Sequence, residues 1–193
     1  TESLKAAQEL GRAGRSDEAE RIARQILATE PHNLGALRLL GGIARQKGQH
    51  AQSAEHFQKA VQLDPADTSA QIGLGNALLK LGRAEEAVEC FQRVQRSRPN
   101  DAQLQSDLGV LLANMGRWDQ AAECFEQVVR AHPEFGPGHN NLGNVLNQQG
   151  RTAEAIECFR AAIRVSPELV QAYNNLANGL KSQGWLDDAI EQY

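Results

Sequence analysis

The side chains in this sequence that come closest to a chemical site are three cysteines, because they recur at one regular spacing. Cys90, Cys124 and Cys158 are each separated from the next by 34 residues. A metal site is one interpretation, but equivalent positions on packed helices lie about 8–10 Å apart. A disulfide needs α-carbons closer than about 7 Å, so these thiols cannot easily pair. We interpret them as small packing residues and unpaired thiols, which favours a reducing compartment and predicts a cytoplasmic protein.

The other reactive residue types also lack the arrangement that chemistry requires. None of the histidines has the spacing of a metal-binding motif; they are His32, His50, His56, His132 and His139. Acidic pairs occur at Asp17-Glu18, Glu85-Glu86 and Asp187-Asp188. Each pair directly follows a predicted turn, where carboxylates complement the N-terminal dipole of a helix. The sequence therefore predicts no catalytic residue, no metal ligand and no cofactor, and hence no enzyme activity in this segment.

Composition narrows the class of protein further. Of the 193 residues, 41% are hydrophobic and only 5% are aromatic. Alanine, leucine, glutamine, glutamate and arginine dominate, and these residues favour helices, so an all-α fold is expected. A net charge of −4 argues against general nucleic-acid binding, which needs a basic face. No apolar run reaches the roughly 20 residues needed to span a bilayer, and no signal peptide opens the sequence, so no membrane partner is expected.

A period of 34 residues organises the whole sequence. Prolines recur at this spacing at Pro31, Pro65, Pro99, Pro133 and Pro167. Glycines recur in the same register at Gly14, Gly48, Gly82, Gly116, Gly150 and Gly184. Two independent sets of helix-breaking residues in register indicate an internal repeat. We predict one domain over residues 1–193, with repeats at about 1–33, 34–67, 68–101, 102–135 and 136–169 and an incomplete one at 170–193.

The repeat at residues 68–101 shows the local structure expected of all of them. Apolar residues at the 3,4 spacing predict a first helix over about Ser69–Leu81, with Asp67 or Thr68 as its N-cap. Gly82 is expected to end this helix in a left-handed conformation. A second helix is predicted over about Ala84–Arg96. Each repeat is therefore an antiparallel helix pair that buries its apolar face only when a neighbour stacks on it.

Small and large residues alternate at the predicted helix contacts. Glycines mark one close approach, at Gly41, Gly75, Gly109 and Gly143. An aromatic residue follows in the second helix of every repeat except the first, which has Ala23 instead; these residues are Phe57, Phe91, Phe125, Phe159 and Tyr193. We expect these rings to fill the space between adjacent repeats.

These residues resemble the tetratricopeptide repeat, a helix-turn-helix unit of 34 residues. The stretches LGNALLKLGRAEEAVECFQRVQRSRP and NNLGNVLNQQGRTAEAIECFRAAIRVSP carry the resemblance, which covers essentially the entire chain. They are also similar to the arrays attached to O-linked N-acetylglucosamine transferase and to bacterial proteins like them. The resemblance implies a right-handed superhelical solenoid of about five and a half to six repeats. The first repeat departs from the pattern as a capping repeat does, and the last stops at Tyr193 inside its second helix, so we expect the natural chain to continue.

The family resemblance also implies a binding surface, because such arrays bind extended peptides in a concave groove lined by the first helices. The groove positions of this sequence are Arg38, Arg45, Asn76, Lys80, Asp107, Asn114, Asn140, Asn144, Asn147, Asn174, Asn178 and Lys181. An asparagine amide both donates and accepts hydrogen bonds, so a row of them suits a peptide backbone. The alternative is that these amides bond to neighbouring helices or face water. The basic members of the carboxylate clamp of chaperone-binding repeats have no counterpart at matching positions.

Three hypotheses for function follow. The first is a scaffold that binds a peptide or a partner protein in the groove. The second is a substrate-recruiting arm of a larger enzyme, such as a glycosyltransferase or a sulfotransferase. The third is a structural module that associates with itself through its terminal repeats. The N-terminal half of the groove is the more basic, which either orients an acidic ligand or reflects ordinary solvated charge.

Overall fold

The computed structural model describes residues 2–184, and within that range it contains eleven α-helices and no strand. The helices are α1 (Glu2–Arg12), α2 (Ser16–Thr29), α3 (Leu34–Gln46), α4 (His50–Leu63), α5 (Thr68–Lys80), α6 (Ala84–Ser97), α7 (Ala102–Asn114), α8 (Trp118–Ala131), α9 (Gly136–Gln148), α10 (Thr152–Val165) and α11 (Val170–Ser182). This confirms the predicted all-α class and the repeated helix pair. The acidic pair Asp187-Asp188 and the predicted second helix of the last repeat lie outside the described residues.

Side-chain caps fix where several of the first helices begin. Asn33, Asp67 and Asp101 precede α3, α5 and α7, and the side-chain oxygen of each accepts the backbone N–H three residues later at 3.0–3.1 Å. Such a bond satisfies one of the amide donors that a helix start leaves free, and is worth about 1 kcal/mol. Of the two predicted caps of α5, Asp67 is therefore the one that the chain uses.

A left-handed glycine ends each first helix. The six turn glycines have φ between 72° and 82°, at Gly14, Gly48, Gly82, Gly116, Gly150 and Gly184. At Gly82, the glycine N–H donates to the carbonyl oxygen of Leu79 at 3.1 Å, and the N–H of Arg83 donates to that of Leu78 at 2.9 Å. These two hydrogen bonds close the C-terminal end of the helix. The left-handed position that they require favours glycine, which has no β-carbon. The predicted turn conformation is confirmed.

The helices form two compact units, residues 1–97 and residues 98–193. Unit 1 contains α1–α6, and the described part of unit 2 contains α7–α11. Among the described helices, α1, α3, α5, α7 and α9 each pack against the second helix that follows, and within each unit that second helix packs against the next first helix. The first helices also contact one another, α1 with α3 and α3 with α5 in unit 1, and α7 with α9 and α9 with α11 in unit 2. The prediction of one continuous domain over residues 1–193 stays a prediction.

Phenylalanine rings lie directly over glycines in the cores of the helix pairs. A β-carbon on Gly41 would lie 2.8 Å from the ring of Phe57, and one on Gly143 would lie 2.5 Å from the ring of Phe159. Gly75 and Gly109 meet Phe91 and Phe125 in the same way. The ring of Phe57 also reaches the next pair, where a β-carbon on Gly73 would lie 2.5 Å away. All four rings are buried, and burial of such a side chain stabilises the fold by about 1.5–3 kcal/mol.

Membrane-spanning segments are absent from the described residues. No helix between residues 2 and 184 combines the length and the apolar composition that crossing a bilayer requires.

Candidate peptide-binding surface

The first helices of each unit present a common exposed surface, which we call the first-helix face. In unit 1 it consists of the exposed side chains of α1, α3 and α5, and in unit 2 of those of α7, α9 and α11. The glycines that end the first helices make this arrangement possible, because each chain reversal returns the next first helix to the same side of its unit. All of the predicted groove residues belong to these helices.

In unit 1 the first-helix face is cationic. Arg38 and Arg45 on α3 and Lys80 on α5 are exposed, whereas Asn76 on α5 is half-buried. Arg38 donates from Nη1 to Oδ2 of Asp67 at 3.1 Å, which joins α3 to the start of α5. The structure therefore places the predicted cations of unit 1 on one face and ties one of them to a helix cap.

A cavity of about 300 Å³ opens on this face between α1 and α3. Its lining consists of Gln8, Gly11, Arg12, Arg38, Leu39, Gly42, Ile43 and Gln46. We call it the Arg12–Arg38 notch. Of its residues, Arg38 belongs to the groove positions predicted from the sequence.

In unit 2 most of the predicted residues are exposed amides. The exposed members are Asp107, Asn114, Asn144, Asn147, Asn174, Asn178 and Lys181. Asp107 accepts from Nε2 of Gln103 at 2.8 Å, and Asn147 accepts from the hydroxyl of Thr152 at 3.0 Å. The first-helix face of unit 2 thus offers amide donors and acceptors rather than positive charge.

Asn140 differs from the other predicted residues because it is buried. Its side chain is 7% exposed, and its Oδ1 accepts from Nδ2 of Asn175 at 2.9 Å. On the other side of α9, towards α7, Nδ2 of Asn141 donates to the hydroxyl of Ser106 at 3.4 Å. These two bonds, each between residues 35 apart, link α7 to α9 and α9 to α11. We call these two bonds the amide ladder. Asn140 and Asn175 thus follow the alternative interpretation of the asparagines, in which the amides bond to a neighbouring helix.

Sequence reasoning missed a second set of polar side chains, two of which are buried. Gln71, Gln105 and His139 occupy one position of three successive repeats, and both glutamines are less than 5% exposed. Nε2 of Gln71 donates to the carbonyl oxygen of Pro65 at 3.3 Å, and Nε2 of His139 lies 2.8 Å from that of Pro133. Each bond ties a first helix to the loop before it. The only signal in the sequence was a polar residue at a position where the neighbouring repeats have Leu37 and Tyr173.

The acidic residues that begin the second helices take part in ion pairs. Arg83 donates from Nε and Nη2 to both carboxylate oxygens of Glu86 at 2.6 Å, and Arg15 and Arg151 bind Glu18 and Glu154 in the same way. The hydrogen bonds from Arg83 lower the pKa of Glu86. Carboxyl groups held ionised and exposed have the opposite of the raised pKa that a general acid needs.

The three cysteines are unpaired thiols. Burial raises the pKa of Cys124 and of Cys158 to about 11, so both are protonated at neutral pH. Between residues 2 and 184 there is no group of three or more histidine, cysteine or acidic side chains that would hold a metal ion. These thiols therefore have neither the lowered pKa of a nucleophile nor the convergence of a ligand set.

A larger concavity lies outside the first-helix face. About 710 Å³ of space opens between the α7–α8 turn and the α9–α10 turn of unit 2, beside Trp118 and Arg151. The Trp118 side chain is 37% exposed there. Asp119 accepts from Nε2 of Gln149 at 2.8 Å across this gap, so its polar groups are largely bonded to one another.

Comparison with protein families gives a match over nearly the whole chain. A tetratricopeptide repeat model matches residues 4–68, 106–169 and 140–193, and a second tetratricopeptide repeat model matches residues 44–106.

Curated proteins match only over short stretches. A DnaJ homolog subfamily C member 7 homolog of Schizosaccharomyces pombe is 40% identical over 55 residues, which is 28% of this chain and 12% of that protein. A CTR9 homolog of Arabidopsis thaliana is 38% identical over 55 residues, 28% of this chain and 5% of that protein. The protein O-mannosyl-transferase TMTC1 of Mus musculus is 39% identical over 64 residues, 33% of this chain and 7% of that protein. The matched stretch thus spans about an eighth or less of these relatives.

Solved structures match along most of the chain. YrrB, described as a TPR protein with an unusual peptide-binding site, has a TM-score of 0.79 at 22% identity, with 89% of each chain covered. A structure of MamA has a TM-score of 0.76 at 25% identity, covering 84% of this chain and 95% of that one. PilF of Pseudomonas aeruginosa has a TM-score of 0.72 at 17% identity, covering 98% of this chain and 86% of that one.

Proposed function

Because the chain belongs to the tetratricopeptide repeat family, we propose that it is an interaction scaffold whose first-helix face binds an extended segment of a partner protein. The fold supports this role, since stacked helix pairs present long surfaces without a catalytic centre of their own. The structural similarity to YrrB, a protein described as having a peptide-binding site, supports it as well.

The observation that carries this proposal is the set of exposed asparagines on α9 and α11. Asn144, Asn147 and Asn174 are exposed on helices that contact each other. An amide donates to a backbone carbonyl and accepts from a backbone N–H, so such a set binds an extended main chain whatever its side chains are. Ordered helices lose little entropy on binding, which favours affinity.

Asn140 and Asn175 have a different role in this proposal. Their mutual bond is largely shielded from water, so it holds α9 and α11 at a fixed distance and orientation. The exposed asparagines are then presented in a constant geometry to the ligand. We therefore assign Asn140 to positioning the surface, while Asn144 and Asn174 contact the peptide.

The test is a peptide selection followed by paired substitutions. A phage-displayed library of random peptides of about 12 residues is panned against the full chain, and a selected peptide is titrated by fluorescence anisotropy. Asn144→Ala combined with Asn174→Ala removes two amide contacts worth about 0.5–1.5 kcal/mol each, so we expect the affinity to fall about tenfold. Gln52→Ala with Gln58→Ala removes two exposed amides from the second helix α4 and serves as the matched control.

The control should bind like the unmodified chain, and both variants should keep its circular dichroism. Equal affinity of the two double variants for every selected peptide would remove the exposed asparagines from the binding site. A library that yields no specific peptide would contradict the scaffold function itself.

A second candidate function is a substrate-recruiting arm of a larger enzyme. The observation that favours it is the match of one third of this chain to a segment of an O-mannosyl-transferase. We would determine the natural polypeptide around these residues by intact mass and peptide mapping. A transferase domain in the same polypeptide, whose turnover of a protein substrate falls in the Asn144→Ala, Asn174→Ala background, would support this role. Unchanged turnover in that background would exclude it.

We place the scaffold in the cytoplasm because its thiols have no disulfide partner. Fractionation of the source cells followed by immunoblotting tests this localisation. Recovery in an oxidising compartment would contradict it.

A further inference from the structure

We propose that the Arg12–Arg38 notch binds the carboxylate of a glutamate or aspartate side chain, so that unit 1 takes an acidic segment of the partner. This inference rests on the proposed scaffold function and names the class of ligand for one half of the first-helix face. Its basis is the distribution of charge, the fixed position of Arg38 and the shape of the notch.

Charge is distributed unevenly along the chain. Residues 1–97 contain 13 lysines and arginines against 12 acidic residues, whereas residues 98–193 contain 7 against 12. On the first helices of unit 1, α1 balances Glu2 and Glu9 against Lys5 and Arg12, whereas α3 and α5 contain cations and no acidic residue. The first-helix face of unit 1 is thus positive on a protein whose net charge is −4.

The cations of unit 1 differ in whether they have a carboxylate partner. Most of those on the second helices and turns have one within 4 Å: Arg15, Arg24, Lys47, Lys59, Arg83 and Arg93. On the first helices, Lys5, Arg12, Arg45 and Lys80 have none among the described residues. Positive charge that the fold itself does not neutralise, gathered on one face, is complementary to an acidic ligand.

Arg38 is held in place before any ligand arrives. Its Nη1 donates to Asp67, a carboxylate whose side chain is only 7% exposed, while the Arg38 side chain remains 43% exposed. A guanidinium has five N–H donors in a rigid fork, and this bond uses one of them. The remaining donors are available for a second carboxylate, and the immobilised fork loses less entropy when it binds.

The notch has the size and the lining for one acidic side chain. Its volume of about 300 Å³ lies at the small end of ligand-binding cavities. The half-buried Leu39 provides apolar surface for the methylene groups, and the two arginines that line the notch, Arg12 and Arg38, carry the positive charge. At Gly42 the absence of a side chain keeps the notch open, since a β-carbon there would meet no atom within 4 Å.

The experiment uses the full chain and the same displayed peptide library. The library is panned in parallel against the unmodified chain and against Gly42→Glu, whose β-carbon meets no atom within 4 Å and whose carboxylate is intended to compete for the arginines. We expect glutamate and aspartate to be enriched at one peptide position against the unmodified chain, and that enrichment to be lost against Gly42→Glu. The enriched peptide is then synthesised together with a counterpart in which the selected acidic residue is the corresponding amide.

The affinities separate a specific site from general attraction. We expect the amide counterpart, and the acidic peptide on Arg12→Gln with Arg38→Gln, each to bind at least tenfold more weakly. The matched control is Arg21→Gln with Arg96→Gln, which removes the same charge from exposed positions on the second helices α2 and α6 and should change affinity less than twofold. Since Arg38 also bonds the cap of α5, Gly42→Glu provides the test that leaves that bond intact.

Each other outcome overturns the inference. An equal loss in both arginine pairs means that only the long-range field attracts the peptide. Tighter binding of single-stranded DNA than of the acidic peptide means that the face is a general polyanion surface. Selection of neutral peptides that respond only to Asn144→Ala with Asn174→Ala leaves the scaffold function standing without the notch, whereas an empty selection removes both.

Discussion

Two glycine-to-alanine substitutions, on the neighbouring first helices α3 and α5, are expected to change stability in opposite directions. Gly42 lies on α3 and Gly73 on α5, both in helix interiors, so replacement by alanine favours the helix by about 0.8–1.0 kcal/mol in each case. At Gly42 the new β-carbon meets nothing within 4 Å. At Gly73 it would lie 2.5–2.7 Å from three atoms of the buried Phe57 ring. The same chemical change therefore meets open space in one helix and a packed core in the other.

The expected magnitudes follow from this difference. Gly42→Ala should stabilise by nearly the full helix-propensity gain, which raises the midpoint of thermal unfolding by about 2–4 °C for a chain of this length. Gly73→Ala gains the same propensity but forces the core to accommodate an added methyl group, which costs about 1–3 kcal/mol. The unfolding midpoint of Gly73→Ala should therefore lie below that of Gly42→Ala by the packing cost alone.

The assay is thermal and urea unfolding followed by far-ultraviolet circular dichroism, with both variants measured beside the unmodified chain. Comparing two variants of one repeat protein avoids any reliance on a strictly two-state transition. Combining Gly73→Ala with Phe57→Leu should recover part of the loss, because the smaller side chain makes room for the methyl group. If Gly73→Ala raised the midpoint as much as Gly42→Ala does, the close contact between the glycine and the ring would be refuted.

Three further predictions concern the amide ladder, the thiols and the surface ion pairs. Asn175→Ala should destabilise by about 1–3 kcal/mol because it leaves a buried carbonyl oxygen without its donor, whereas Asn174→Ala, at an exposed position, should stay within about 0.5 kcal/mol; urea unfolding measures both. Cys124 and Cys158 have pKa values of about 11, so their alkylation by iodoacetamide should be slow at pH 8 and accelerate as pH rises toward 11; alkylation in the folded state as fast as in urea would contradict the burial. Hydrogen bonds from arginine lower the pKa values of Glu18, Glu86 and Glu154 at the starts of the second helices. These ion pairs should therefore stabilise the fold fully above the unfolded-state pKa of 4.5, and that stabilisation should be lost as pH falls through the lower folded-state pKa. An unfolding midpoint that stays unchanged between pH 6 and pH 2 would count against these pairs.

The sequence predicted the repeat period, the helix pair and the turn conformation because each depends on local chemistry. A glycine at the end of a helix and a proline one loop later act within a few residues of themselves. Repetition of these residues at Gly82, Gly116 and Gly150 makes the interpretation independent of any single position. The α5 cap was the exception, because Asp67 and Thr68 are both good caps and only the geometry selects Asp67.

The burial of Asn140 was not predictable from the same pattern. Periodicity shows that Asn140 and Asn174 occupy equivalent positions, yet one is buried and the other is exposed. The difference arises from Asn175, which reaches back to Asn140 from the following helix, while α11 has no such neighbour after it within the described residues. The helical period of the sequence shows which residues lie on the same helix face. How much of that face is exposed to solvent depends on how the adjacent helix packs against it.

The Arg12–Arg38 notch was hidden from the sequence for a related reason. Its two arginines are 26 residues apart and occupy different positions of successive repeats, so no periodic signal connects them. They line one cavity only because α1 and α3 pack side by side. Sites that lie diagonally across two repeats require the packed structure.

The contact between Phe57 and Gly73 limits how freely the repeats of this protein are interchangeable. The positions equivalent to Gly73 in the other repeats are Lys5, Leu39, Asp107, Asn141 and Asn175, all of which have a β-carbon. A shuffled gene that placed any of these repeats directly after the one containing Phe57 would bring that carbon against the aromatic ring. Repeats of equal length are thus not equivalent modules, because the close contact between Gly73 and the Phe57 ring constrains which repeat can follow the one that contains Phe57.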